Sequence, residues 1–290
     1  MKKIMALVLI MLVLPLLFAC THTNSIQQRG ELVVGMAADM PPFAMTTKDG
    51  KIIGFDPDLA QYMADSMGVN LKIKTMPFSE LLPALEGHKV DMAISSITMT
   101  ARRNLKVAFV GPYFTSGKAF LTKRKAIASA KKGSDINNPN ATFVTLKGST
   151  SQEFVEAVMP RAKLVLAKTY DEAVDMVIQD KVDAMVADYP ICVVSVFRYP
   201  RKGLVSIITP LTYEPLGIAL NPNDTLLLNW VENFINARRD SGDLEILKNR
   251  WFGDSGMLPG YIKSSNTCIF SSGRVVFYRP DGRGPEWTRP

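Results

Sequence analysis

Twice in this chain a helical stretch ends in a polar turn and is followed by the same three residues and an apolar strand. The first copy runs through Gly87-His88-Lys89-Val90-Asp91 into Met92-Ala93-Ile94, the second through Asp180-Lys181-Val182-Asp183 into Ala184-Met185-Val186. Each apolar run is short and rich in residues that suit a strand buried on both faces, and each follows a helix-period segment (Ser79 to Glu86, Tyr170 to Gln179). Strand, helix, strand in this order makes βαβ units and a mainly parallel sheet. Two such units predict two α/β lobes. The polar residues that close the strands, Ser95 and Ser96 in one lobe and Asp188 in the other, would then face each other, because ligands of open α/β sheets collect outside the carboxyl ends of the strands. A chain of 290 residues with 47% hydrophobic content can bury cores for both lobes.

The stretch from Val90 to Arg103, V-D-M-A-I-S-S-I-T-M-T-A-R-R, has the outline of an anion pocket. Small hydroxyl residues (Ser95, Ser96, Thr98) let a ligand approach the backbone, and Arg103 offers a planar fork of donors that fits a carboxylate bidentately. A surface arginine after a buried strand is the plainer alternative. Lys147-Gly148-Ser149-Thr150-Ser151 opens a later helix with hydroxyl caps, a second place where free N–H donors can meet an anionic group.

The Val90 to Arg103 stretch resembles the Asp-x-x-x-x-Gly-(Ile/Met)-(Ser/Thr)-x-Thr-x-x-Arg signature of the family 3 solute-binding proteins, the periplasmic proteins that serve polar amino-acid ABC importers. The resemblance extends from about Glu31 to Gly253. It implies a type II periplasmic-binding-protein fold: lobe 1 from 31–114 and 216–262, lobe 2 from 115–215, and two crossover strands as the hinge. It implies Arg103 on the ligand carboxylate, with backbone donors near Thr98 and Thr150, and Asp188 on the ammonium. Phe78 and the Met40 position would clamp the ligand body, with Ser95, Ser96 and Ser149 around it. Asp39 and Phe55 are further candidates, although a loop Asp often serves a turn and Phe43 and Phe55 also read as core. Asp188, followed by Pro190, reads equally as the N-cap of a helix over Tyr189 to Arg198. Three positions depart from the family pattern: Ser96 stands where Gly is usual, Met40 where an aromatic is common, and Ala37 where an acid is common. By the resemblance the partners are an amino-acid ligand and an ABC permease, the protein is a monomer, and no cofactor is needed.

Enzymatic chemistry finds little material. With only His22, in a spacer, and His88, in a turn, neither a Ser-His-Asp arrangement nor a His-rich metal cluster can be assembled. The enzymatic alternative on the same fold is a periplasmic cyclohexadienyl (prephenate or arogenate) dehydratase, with an acid in the cleft as general acid. A nucleic-acid role loses its support once the net charge of +7 is divided: the leader carries two of these charges and the tail from Lys263 a net three, leaving about +2 on the body. Lys118, Lys123, Arg124, Lys125, Lys131 and Lys132 form a local basic cluster without interleaved aromatics, which reads as a solvated face.

Within the body, Asp56 and Pro57 read as the N-cap and first position of a helix carrying Leu59, Met63 and Met67. Cys192 falls in an apolar helical run as a buried free thiol. The tail 263–290, rich in Gly, Ser, Arg and Pro without apolar periodicity, is expected to be disordered. At the other end, Lys2 and Lys3 precede a short apolar run that closes on Leu17-Phe18-Ala19-Cys20, which resembles a lipobox. Cleavage would leave 1–19 as signal peptide, with Cys20 diacylated and 20–30 as a spacer; two or more acyl chains give stable anchoring where one does not. Mass spectrometry of the mature protein is therefore expected to find an acylated Cys20 at its amino terminus. A mature form that starts elsewhere would remove the membrane anchor.

Overall fold

The computed structural model describes residues 26–130, 133–208 and 212–253. The signal segment, Cys20 and the tail from Lys263 lie outside the described residues. Two five-stranded sheets carry the fold. The first comprises β1 (Glu31–Met36), β5 (Asn70–Thr75), β6 (Met92–Thr98), β7 (Ala108–Ser116) and β13 (Glu214–Leu220), in the order β5-β1-β6-β13-β7. The second comprises β8 (Lys118–Thr122), β9 (Thr142–Leu146), β10 (Lys163–Ala167), β11 (Ala184–Asp188) and β12 (Val205–Ile208), in the order β10-β9-β11-β8-β12. A small third sheet joins β2 (Asp39–Met40), β3 (Ala44–Thr46) and β4 (Ile52–Ile53).

Both large sheets follow one plan. Three strands run parallel with helical crossovers between them (β5-β1-β6 and β10-β9-β11), and two antiparallel strands complete the edge. The two Lys-Val-Asp segments lead into β6 and β11, which hold equivalent places in their sheets. In each copy the Asp, just before its strand, ties that strand to its parallel neighbour: the Asp91 carboxylate accepts from the Val33 N–H at 2.8 Å, and that of Asp183 accepts from the Thr142 N–H at 2.9 Å. The repeat is therefore a device for opening a βαβ unit. β7 runs through Gly117 into β8, and β13 returns, so two strand connections link the lobes.

The first core is built on aromatic rings. Phe43, Phe55, Phe114 and Phe252 meet with centroids 4.7–6.4 Å apart, mostly edge-to-face, the geometry that the ring quadrupole favours. The terminal helix Asp243–Phe252 is thereby locked in, since Phe252 is fully buried and Trp251 donates its indole N–H to Asp58 at 2.9 Å. The helix Phe55–Met67 begins two residues earlier than expected. Its N-cap is Gly54, not Asp56. At φ 144° Gly54 passes so close to Phe43 that a Cβ would stand 2.2 Å from the Phe43 carbonyl oxygen. Only glycine fits this approach, and it turns Asp56 inward as a buried residue of the first turn.

Among the described residues, no helix is long and apolar enough to cross a membrane. Cys192 is buried and free, as its apolar helical surroundings predict.

Candidate functional site

The carboxyl ends of β6 and β11 and the start of the helix Thr150–Val158 converge on one small cavity between the sheets. Ser96, Thr98, Arg103, Phe78 and Met40 line it from one side; Ser149, Thr150 and Asp188 line it from the other. These eight residues were all singled out from the sequence. Three more line it: Ser151, which the sequence placed only within the hydroxyl run that opens its helix, and Lys118 and Tyr170, which it did not offer as site residues. The space left between the side chains is about 10 Å³, roughly one water's worth.

Arg103 is held by its own lobe and by the other. Its Nη1 donates to the Thr98 carbonyl at 2.8 Å, and its Nη2 to the Gly148 carbonyl at 3.0 Å. The guanidinium also lies over the Phe78 ring, 5.7 Å from the centroid. Stacking and two carbonyl bonds fix the plane of the fork while leaving further N–H groups on it to meet a carboxylate. Burial pushes the Arg103 pKa below its ordinary value, opposed by the negative field of Glu153, Glu214 and Asp188. Further interlobe contacts are a hydroxyl pair, Thr98 Oγ1 and Thr150 Oγ1 at 3.2 Å, and the exposed Arg102–Glu153 ion pair at 3.2 Å.

Ser96 stands at φ +49°, in the left-handed region, which explains why glycine suits this position. Serine is held there by Asp56. The Asp56 Oδ2 accepts from the Ser96 N–H at 3.0 Å, and the Tyr113 hydroxyl is 3.1 Å from the same nitrogen. The other Asp56 oxygen is buried without a hydrogen-bond partner.

Asp188 does occupy the N-cap position of the helix Tyr189–Arg198, yet its side chain makes no cap bond. Its Oδ1 instead accepts from Lys118 Nζ at 2.7 Å. The same ammonium donates to Thr150 Oγ1 at 2.7 Å and lies 3.3 Å from Glu214 Oε2, while Thr150 donates to Glu214 at 3.0 Å. Burial raises the Asp188 pKa; Lys118 opposes the rise and Glu214 adds to it.

The solvated basic face expected at Lys118 is thus corrected, since this residue is 1% exposed. The physical reason is strand direction. β8 runs antiparallel to β11, so its first residue, Lys118, sits directly across from the last residue of β11, Asp188. The signal in the sequence was a lone lysine heading the otherwise apolar run Ala119 to Leu121, not its neighbours in the basic cluster.

Three candidates do not line the cavity. Ser95 is fully buried behind it and accepts from the Ala37 N–H at 3.0 Å. Asp39 accepts from the Tyr170 N–H at 2.9 Å, binding the first turn of the helix Tyr170–Ile178 across the lobes, and burial raises its pKa. Phe55 belongs to the aromatic core.

Residues 32–254 match the model of the bacterial extracellular solute-binding proteins, family 3. The chain is similar to an arginine-binding periplasmic protein of Mannheimia haemolytica, 27% identical with 83% of this chain and 97% of the relative covered. It is also similar to a cyclohexadienyl dehydratase of Pseudomonas aeruginosa, at 24% identity over 80% of this chain and 86% of the relative. Among solved structures, a binding component assigned to an ABC transporter of Wolinella succinogenes and complexed with lysine is 38% identical, with a TM-score of 0.72, covering 78% of this chain and 97% of that one.

Burial pushes the Asp56 carboxyl up to about 7, against hydrogen bonds from Tyr113 and Ser96 that favour its charged form. The folded state therefore binds a proton that the unfolded state has already released between about pH 4 and 7, so Asp56 stabilises the fold least once that window is passed. Thermal unfolding across pH 4–8 is expected to show wild type losing stability relative to Asp56→Asn as pH rises through this window, with parallel curves above it. Parallel curves throughout would mean that Asp56 ionises as freely in the fold as outside it.

Proposed function

We propose a function from one premise, that the chain belongs to the bacterial extracellular solute-binding proteins, family 3. It binds an amino acid between its lobes outside the cytoplasm and delivers it to an ABC import permease. It does so as a monomer, held to a membrane through lipid on Cys20. The observation that carries this reading is the pairing, in one cavity, of Arg103 from the first lobe with Asp188 from the second. The ligand carboxylate would meet the fork of Arg103. Its ammonium would meet Asp188 and Glu214, two carboxylates that share a single lysine. A ligand so held bridges both sheets, and binding favours the closed arrangement by whatever affinity it adds there.

Losing either charged contact strands its partner in a desolvated site, at about 2–5 kcal/mol or tens to thousands of fold in affinity. Calorimetry with an amino acid that binds wild type is expected to show losses of that size for Arg103→Ala and for Asp188→Ala, each verified as folded by circular dichroism. Lys at position 103 should recover only part of the loss, because a point charge cannot reproduce the bidentate fork. Unchanged binding by Arg103→Ala would place the carboxylate elsewhere.

The dehydratase reading draws on one relative and on the buried acid Asp188 that lines the cleft, with Glu214 close to it through Lys118. Both acids are engaged by Lys118 and Thr150, an arrangement that suits the holding of a cation. Incubated with prephenate, the protein is expected to return it unchanged; steady consumption would establish the enzyme.

A further inference from the structure

Arg103, Lys118 and Asp188 line the cavity, and Glu214 pairs with Lys118 beside it, so two cationic side chains stand against two acidic ones. A zwitterionic ligand keeps that balance, adding one carboxylate opposite Arg103 and one ammonium toward the two acids. Any further charge on the ligand's side chain would have to be met by a group the cleft has not already engaged.

The acids nearest to such a role are occupied. Asp39 faces the backbone N–H of Tyr170 at 2.9 Å, and Asp56 lies behind Ser96, accepting from its N–H. The cations are occupied as well. Lys118 is shared among Asp188, Glu214 and Thr150, and Arg103 is bonded to two carbonyls before any ligand carboxylate is added. What remains around the ligand body is Met40, Phe78, Tyr170 and the hydroxyls of Ser149 and Ser151, a lining that suits apolar and neutral polar groups. An unpaired charge placed there would be desolvated without compensation.

We infer that the cleft selects amino acids whose side chains are uncharged, and that Lys118 is the residue that sets this choice by engaging both Asp188 and Glu214, which leaves room there for a single cation of the ligand. Without Lys118 the two acids would have to draw their cations from the ligand, its ammonium and a cationic side chain together. The inference rests on the amino-acid-binding reading. It separates this chain from relatives named for arginine and from a similar structure complexed with lysine.

Calorimetry of the mature chain with glutamine, serine, methionine and phenylalanine, against arginine, lysine and glutamate, tests it. The best uncharged amino acid is expected to bind at least about tenfold more tightly than any charged one. Lys118→Met should narrow or reverse the gap to arginine and lysine. Glu214→Gln should move it the opposite way, in favour of glutamate, and serves if the Lys118 variant does not fold. Tightest wild-type binding of arginine, lysine or glutamate would overturn the inference while leaving the binding function intact. A folded Lys118→Met or Glu214→Gln with an unchanged ranking would remove Lys118 from the selection. If none of the seven amino acids bound, the binding function itself would fall, and this inference with it.

Discussion

The ammonium of Lys118, buried between two carboxylates and a hydroxyl, is the interaction on which the site depends. Asp188 and Glu214 are both nearly inaccessible to water, and the Lys118 ammonium lies within ion-pair distance of each. A lysine in such surroundings is itself tolerable only because its donors are met. The arrangement draws together four parts of the chain: β8 and β11 as direct cross-strand neighbours, the first turn of the helix Thr150–Val158, and the start of the returning strand β13. Glu214 thus joins the connection between the lobes to the chemistry of the cleft. The Lys118 backbone N–H also donates to Thr212 Oγ1 at 2.6 Å, which fixes the strand at the point where the chain passes from one lobe to the other.

The contacts that close the cleft differ in kind from those that hold each lobe. Within the lobes the strands and helices are packed through extensive apolar clusters, the first around the phenylalanine rings, the second around Val144, Leu146, Val174 and Met185. Between them stand polar bonds, among them those of Arg103 with Gly148, Thr98 with Thr150 and Asp39 with Tyr170, and apolar contacts made by Met40 and Phe78 with the second cluster and by Val194 with the first. Polar contacts of this sort contribute about 1 kcal/mol each because water replaces them on opening, whereas separating a packed cluster exposes apolar area. With about 10 Å³ between its side chains, the cleft has to open, or Lys118 and its neighbours have to move, before an amino acid can be seated.

The backbone beneath the ligand is held by a second buried acid with a different task. Asp56 faces no cation; it secures the N–H of Ser96, a residue in a left-handed conformation that a glycine would adopt freely. The serine hydroxyl is added to the cavity at the cost of this strain, which is of order 1 kcal/mol. Gly54 makes the arrangement possible, since only its close passage by Phe43 brings Asp56 to the inside of its helix.

Much of this was legible in the chain itself. The two Lys-Val-Asp repeats and the periodic helices before them determined a pair of parallel units, because strand and helix periods are local properties of the sequence. Arg103, Thr98, Ser96, Phe78, Thr150 and Asp188 could be named from their places at strand ends and helix starts, which a sheet of known direction must bring to one edge. The sequence could not show what those side chains touch. Asp188 reads locally as a helix cap, and only the antiparallel entrance of β8 puts Lys118 opposite it and turns its carboxylate to the cleft. Asp56 reads locally as a cap too, and the close approach of Gly54 to Phe43 turns it inward instead. Lys118 reads as one of a basic cluster, and Glu214, 96 positions later, gives no sign of being its partner. Sequence periodicity carries which residues share a face or an edge, but charge pairing depends on distances between segments remote in the chain, and those exist only once the two sheets are folded and set against each other.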